Sequence, residues 1–212
     1  MKLRLNRIAY PVTVTGPGRR LGIWVQGCYL RCFGCGFRDS WDPDGGEEFD
    51  VAQLAAELAQ VIINHELSGI NLSGGEPTEQ AQPLTQLLRI VLATVDFPPD
   101  VLLFTGLSAA AAERRAPSLW NLADAVVAGP YRADQATQTP LIASANQQLI
   151  LRTQLGNDRY ADTLPANLGF QTQVGPNRIA LVGQPAPGGF AELAAALARR
   201  GILVKSPTEE PN

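Results

Sequence analysis

Short apolar runs alternate with stretches of helical period along most of this chain, and that alternation constrains the fold class more than any other feature. Leu21–Gln26 reads as a buried strand. Asp50 stands where it can cap a helix over residues 51–67, in which Leu54, Leu58, Val61 and Ile62 recur at helical spacing. Gly69–Ser73 reads as a second strand, followed by a helix from Glu79 to Val95 with Leu84, Leu87, Leu88 and Val91 on one face. Val101–Thr105 and Asp124–Ala128 are further strands, separated by an alanine-rich helix over 108–115, and Gln148–Leu151 follows a polar loop over 131–145. Strands joined through helices imply a parallel sheet with right-handed crossovers. In such α/β folds function gathers on the loops at the C-terminal ends of the strands.

The ends of the chain read differently. Residues 1–20 are a lead-in closing on the turn-forming run Thr15-Gly-Pro-Gly18. Phe170–Val174 and Arg178–Val182 flank Gly-Pro-Asn, a hairpin signal that breaks the parallel pattern. A last helix over 189–200 and a short strand at Ile202–Val204 complete a single domain, residues 1–205, and the Pro/Glu-rich residues 206–212 read as a disordered tail. A length of 212 residues suits one domain, and no repeat or linker divides it. A net charge of −3 lacks the basic footprint of a nucleic-acid binder. Lys2, Arg4 and Arg7 precede no apolar stretch of the signal-peptide kind, and no apolar run reaches the length of a membrane span. The expectation is a soluble, cytoplasmic protein that engages neither nucleic acid nor membrane.

All 3 cysteines fall in one loop, Cys28-Tyr-Leu-Arg-Cys32-Phe-Gly-Cys35, at the C-terminal end of the first predicted strand. An odd number packed this closely argues against a disulfide framework and for a reducing compartment. The spacing C-x3-C-x2-C lets three thiolates hold three irons of a [4Fe–4S] cubane, whereas a closed cluster takes four cysteines. The remaining iron then has an open position, which can grip the amine and carboxylate of a small molecule much as catalytic zinc sites keep one position free. The competing reading is a Cys3His zinc site completed by His65, the one histidine, thirty residues beyond Cys35 in a predicted helix. Buried thiols with no ligand role are a further alternative.

The second predicted strand ends in Gly74-Gly75-Glu76-Pro77. Glycines there let the backbone come close to a ligand and adopt positive φ. Exposed backbone groups and the Glu76 carboxylate can then bond an ammonium or a carboxylate, and Pro77 suits the start of a helix. The bland alternative is an ordinary strand–helix turn. Two unusual loops on one rim of one sheet carry more information than either alone.

Cys28-x3-Cys32-x2-Cys35 followed by Ser73-Gly-Gly-Glu-Pro77 resembles the radical S-adenosylmethionine (SAM) superfamily. Gly16-Pro-Gly-Arg19, Ile23-Trp-Val-Gln-Gly-Cys28 and Trp41 narrow the resemblance to activating enzymes of glycyl radical enzymes. Asp124-Ala-Val-Val-Ala-Gly-Pro-Tyr131 and Ser144-Ala-Asn-Gln147 are similar to later segments of the subfamily that activates the anaerobic ribonucleotide reductase. The resemblance is close over residues 12–78 and patchy to 152. It implies an incomplete (βα)6-type TIM barrel, an open side for a partner's loop, and two cofactors, a [4Fe–4S] cluster on Cys28, Cys32 and Cys35 and SAM on its open iron. It further implies that Gly74, Gly75 and Glu76 contact the methionine ammonium and that Gly34 and Gly36, flanking Cys35, read the adenine. Thr105 and Gly106 are placed to touch the ribose, or only to turn the chain. Asn146 and Gln147 bond SAM or the partner, or only the loop. Trp24 and Trp41 are packing residues near the cluster, and Arg19 and Arg20 either meet a carboxylate or stay solvated. Where the subfamily tends to have Asn two residues after the third cysteine, this chain has Phe37.

The expected activity is reductive cleavage of SAM to a 5′-deoxyadenosyl radical that places a glycyl radical on a partner enzyme, with a flavodoxin or ferredoxin-type reductant. Radical SAM chemistry on a small molecule, as in the enzyme that makes 7-carboxy-7-deazaguanine, a deazaguanine nucleoside precursor, or on a peptide, is the enzymatic alternative. A non-catalytic Fe–S electron-transfer or sensing module is the alternative outside enzymes, and it needs a fourth ligand that no cysteine supplies.

Overall fold

The computed structural model describes residues 1–161, 169–174, 179–183 and 189–202. The strands are β1 (Lys2–Val12), β2 (Arg20–Val25), β3 (Glu47–Asp50), β4 (Gly69–Gly74), β5 (Asp100–Thr105), β6 (Ala125–Ala128), β7 (Gln148–Leu151), β8 (Phe170–Val174) and β9 (Ile179–Gly183). The helices are α1 (Val51–His65), α2 (Ala81–Thr94), α3 (Ala109–Arg115), α4 (Pro117–Trp120), α5 (Gln154–Tyr160) and α6 (Gly189–Ala198). Strands β1 to β7 form one 7-stranded open sheet in the order β3-β1-β2-β4-β5-β6-β7. Its centre, β2-β4-β5-β6, is parallel, as the alternation requires.

Central strands are buried on both faces and therefore read as unbroken apolar runs rather than alternating ones. Every residue of β2 and of β6 is buried. Helix α1 starts at Asp50, whose carboxylate accepts from the amides of Ala52 (3.0 Å) and Gln53 (3.3 Å). Those two amides also hold the Asp50 carboxyl below its ordinary pKa. The helix stops at Glu66, which takes the left-handed conformation (φ 51°). Its buried face, Leu54, Leu58 and Ile62 among others, meets Leu84, Leu88 and Val91 of α2 and the parallel strands in one core. The expected α/β partial barrel is present, and it is not closed.

The flanks depart from the sequence reading. Residues 2–12 are no mere lead-in but an 11-residue strand antiparallel to β2, and Glu47–Asp50 pairs outside it. Leu3 and Leu5 point into the core while Lys2 is exposed, so a period of two was there to be read. On the far edge β7 runs antiparallel to β6. The helix expected from Glu79 begins as a 3-10 turn over Pro77–Gln80 and becomes α-helical at Ala81. Helix α5 had no counterpart in the periodicity reading. The hairpin at β8 and β9 is antiparallel, and Gln171 ties it to β1 by donating to the Pro11 carbonyl (2.6 Å) and accepting from Thr13 N (3.2 Å). The strand expected at Ile202–Val204 lies partly, and the tail 206–212 wholly, outside the described residues.

Arg20 is not solvated. It is 0% exposed, and its guanidinium pairs with both Asp100 oxygens (3.0 and 2.6 Å) while Nε donates to Asn71 Oδ1 (2.5 Å). The Tyr160 hydroxyl donates to the same carboxylate. This buried cluster ties the N-terminal ends of β2 and β5 together, opposite the end where the cysteines lie.

Candidate metal centre

Strand β2 delivers the cysteine loop, and backbone hydrogen bonds bend the loop back onto its root. Gly27 N donates to Ser40 O (2.8 Å) and Cys28 N to Trp41 O (3.1 Å). Gln26, buried, donates from Nε2 to the carbonyls of Asp39 (3.1 Å) and Asp42 (2.7 Å), closing the same loop from the inside. Within it, Arg31 adopts φ 45° and Cys35 N donates to Cys32 O (3.1 Å). Phe37 N donates to Cys35 Sγ (3.4 Å). All three thiols are half-buried and face one cavity.

The loop after β4 packs against the cysteine loop, backbone on backbone. Gly75 N donates to Val25 O and Glu76 N to Gly27 O, both at 2.9 Å. A Cβ on Gly75 would stand 2.1 Å from Gly27 O, and one on Gly74 (φ 99°) 2.6 Å from Val25 N. Glycine is therefore demanded at both positions by the approach of the two loops, before any ligand is considered. Glu76, also buried, joins a third loop. Its Oε1 accepts from Thr78 N (3.1 Å), Thr78 Oγ1 (2.7 Å) and Thr105 Oγ1 (2.8 Å), and Oε2 accepts from Gly106 N (2.8 Å). The carboxylate thus serves the protein, binding the ends of β4 and β5 to each other.

A fourth loop, from Gly129 to Gln147, folds over the cysteines. Gln147 bonds Ala143 N, Ser144 N and Gly129 O, and a Cβ on Gly34 would stand 2.9 Å from Ala133 Cβ. The four loops enclose about 460 Å³, within the range of small-molecule and cofactor sites. Cys28, Cys32, Gly34, Cys35, Gly36, Gly74, Gly75, Glu76, Thr105, Gly106, Trp24, Trp41 and Gln147 all line it. Asn146 does not belong to that lining. Its amide donates to Pro130 O (2.8 Å), a loop contact. The Thr105 hydroxyl is already engaged, donating to Glu76 and accepting from Leu107 N (3.1 Å). Sequence reasoning missed Asn71, Phe104, Tyr131 and Leu141, which also line the cavity; only Tyr131, after Gly-Pro, stood next to a visible signal.

Burial pushes the Cys28 thiol up from its ordinary pKa, against the backbone amides of Arg31 and Leu30 that pull it down. Burial likewise raises Cys32, opposed by the Tyr131 amide. A bound metal ion would overcome that burial, since its positive charge deprotonates a coordinating thiol. His65 closes α1 with its ring centroid 5.0 Å from that of Tyr10 and lines no part of the cavity. Among the described residues no three His, Cys, Asp or Glu side chains gather where one ion can sit. Three half-buried thiols facing one cavity, with no histidine among its lining, are a donor set that fits three irons of a cluster.

An open α/β sheet with a three-thiol loop on its C-terminal rim and a cavity beside it defines an iron–sulfur protein of the single-cluster kind. Residues 14–150 match the family described as "4Fe-4S single cluster domain", and the chain belongs to that family, within the radical SAM superfamily. It is 30% identical over 133 residues, 60% of this chain and 84% of the relative, to the anaerobic ribonucleoside-triphosphate reductase-activating protein of Vibrio cholerae. To the protein of the same name from Enterobacteria phage T4 it is 29% identical over 139 residues, 64% of this chain and 86% of the relative. To the pyruvate formate-lyase 1-activating enzyme of Escherichia coli K12 it is 42% identical over 72 residues, 33% of this chain. The chain spans only 29% of the length of that last relative. No helix among the described residues is long and apolar enough to cross a membrane.

Proposed function

We propose that this chain is a radical SAM activase, which generates a glycyl radical on a partner enzyme. When bound on Cys28, Cys32 and Cys35, a [4Fe–4S] cluster supplies one electron and an open iron to SAM, whose cleavage to methionine leaves a 5′-deoxyadenosyl radical that takes a hydrogen atom from a glycine of the partner. The cofactors carry that chemistry, and the protein supplies orientation and dryness. Backbone groups of Gly74, Gly75 and Glu76 hold the methionine end of SAM, since the Glu76 side chain is taken by four protein donors. Gly34 and Gly36 stand where the adenine is read; a Cβ on Gly36 would meet no atom within 4 Å, which leaves room for a flat ring. Trp24, Phe104 and Leu141 line the same cavity and keep water from it. The electron comes from a flavodoxin or ferredoxin-type reductant.

One observation carries the partner half of this reading. Tyr29 is 71% and Phe33 85% exposed, both on the loop that holds the cysteines. Leu30, also partly exposed, lines the cavity, so the same loop carries apolar side chains both outside and inside the site. Large exposed aromatics are enriched in protein contact surfaces, which supports a macromolecular partner at this rim. The test is anaerobic co-incubation of the reconstituted chain with anaerobic ribonucleoside-triphosphate reductase and, separately, with pyruvate formate-lyase. A glycyl radical doublet in the EPR spectrum that needs both SAM and reductant supports the activase. SAM cleavage with no doublet on either protein moves the reading to a small-molecule substrate.

A further inference from the structure

The segment Glu76–Gln80 grips the root of the cysteine loop at consecutive points. Gln80 Nε2 donates to Gln26 O (2.9 Å), Glu76 N to Gly27 O (2.9 Å), and Glu79 Oε1 accepts from Tyr29 N (3.0 Å). The last bond stands apart. Apart from the Cys28 thiol itself, Glu79 is the one side chain among the described residues that hydrogen-bonds the backbone between Cys28 and Cys32. The Glu79 backbone is held in the 3-10 turn, where its amide donates to Glu76 O (3.0 Å). Its other oxygen faces Gly27, 3.9 Å from where a Cβ would stand.

We infer that Glu79 is a positioning residue of the cluster loop, which sets the turn carrying Cys28 and places a fixed negative charge beside the cluster, lowering its reduction potential. The inference rests on the cluster reading. The geometry supplies both effects. Glu79 takes the Tyr29 amide, and the next two amides, of Leu30 and Arg31, hydrogen-bond the Cys28 thiol, so the carboxylate anchors the first residue of the turn that carries Cys28. Hydrogen bonds to cluster sulfurs and nearby charge are the protein's means of setting an Fe–S potential. A carboxylate close to a half-buried thiolate opposes the arrival of an electron, because the added charge has the same sign. A more negative potential makes the reduced centre the stronger donor, as the cleavage of a sulfonium bond requires.

Glu79→Gln separates the two effects, since glutamine retains an oxygen acceptor for the Tyr29 amide and loses the charge. After anaerobic reconstitution, E79Q is expected to bind wild-type amounts of iron and to be reduced with an equilibrium constant at least about tenfold more favourable, a midpoint about 59 mV more positive. Glu79→Ala removes the acceptor as well and is expected to bind less iron. A midpoint for E79Q equal to wild type overturns the charge effect, and full iron content with a wild-type midpoint in E79A overturns the positioning. Failure of the wild-type chain to take up a cluster is a separate result, which removes the cluster reading and this inference with it.

Discussion

Glu76 shows how a residue of the right type at the right place serves a purpose the sequence alone does not disclose. Its motif marks a ligand loop, yet its carboxylate is spent on Thr78, Thr105 and Gly106. Sequence spacing locates a group; only packing reveals which of its lone pairs is left. The exposed Tyr29 and Phe33 present the reverse case, apolar side chains without a protein neighbour to explain them. For the double variant Tyr29→Ser/Phe33→Ser the expected outcome is unchanged iron content and unchanged partner-free SAM cleavage, with glycyl radical yield on the partner down about tenfold or more, the scale of losing one interface anchor of ~1–2 kcal/mol. Unaltered radical yield at limiting partner concentration would remove these aromatics from the docking surface. At this scale the cysteine spacing and the glycine pair at 74 and 75 stood out as candidates, but the reason for the glycines, the close approach of Val25 and Gly27, is visible only in the packing. For Asn146 the sequence left a ligand or a loop contact open; its Nδ2 takes the loop contact to Pro130 O, and its buried Oδ1 has no hydrogen-bond partner among the described residues.

At the scale of elements, the parallel core was readable and the flanks were not. β2, β4, β5 and β6 are buried apolar runs joined through helices, so period and order agree. β1 was hidden by its charges and a bulge: Arg4 alternates with buried Leu3 and Leu5, the register shifts between Leu5 and Arg7, and the run looks like a basic lead-in until the strand finds β2. For Arg20 the sequence left a carboxylate or solvent open, and the structure supplies the carboxylate; which one could not be read, because Asp100 is eighty residues away. Breaking one partner of a buried pair leaves an uncompensated charge, at a cost of about 3–5 kcal/mol. Asp100→Asn is accordingly expected to lose about that much stability in urea unfolding, and a loss below about 1 kcal/mol would contradict the buried pairing. Tyr160 adds a pH dependence to the same cluster. Burial first, and then the charge of Asp100, hold its phenol well above the ordinary value, against the pull of Arg20. A raised folded pKa means its contribution to stability is whole below the unfolded value of about 10 and is lost as the pH rises beyond it. Between pH 9 and 11.5 the stability difference between wild type and Tyr160→Phe should therefore shrink; a constant difference would place that phenol in contact with water.

For the whole molecule, the architecture separates two tasks along the strand axis. The N-terminal ends of β2 and β5 are bound by the Arg20–Asp100 cluster, and the C-terminal ends carry the four loops that enclose the cavity. The sheet stays open, with β3 and β7 as antiparallel edges rather than closing strands, and the cysteine loop presents its apolar side chains outward at that rim. The central claim is an iron–sulfur centre with one position kept for SAM, and a direct measurement is the EPR spectrum of the reduced, anaerobically reconstituted chain before and after SAM is added. The account predicts a changed cluster signal on addition and 5′-deoxyadenosine in the quenched sample. An unaltered signal with no 5′-deoxyadenosine would contradict it.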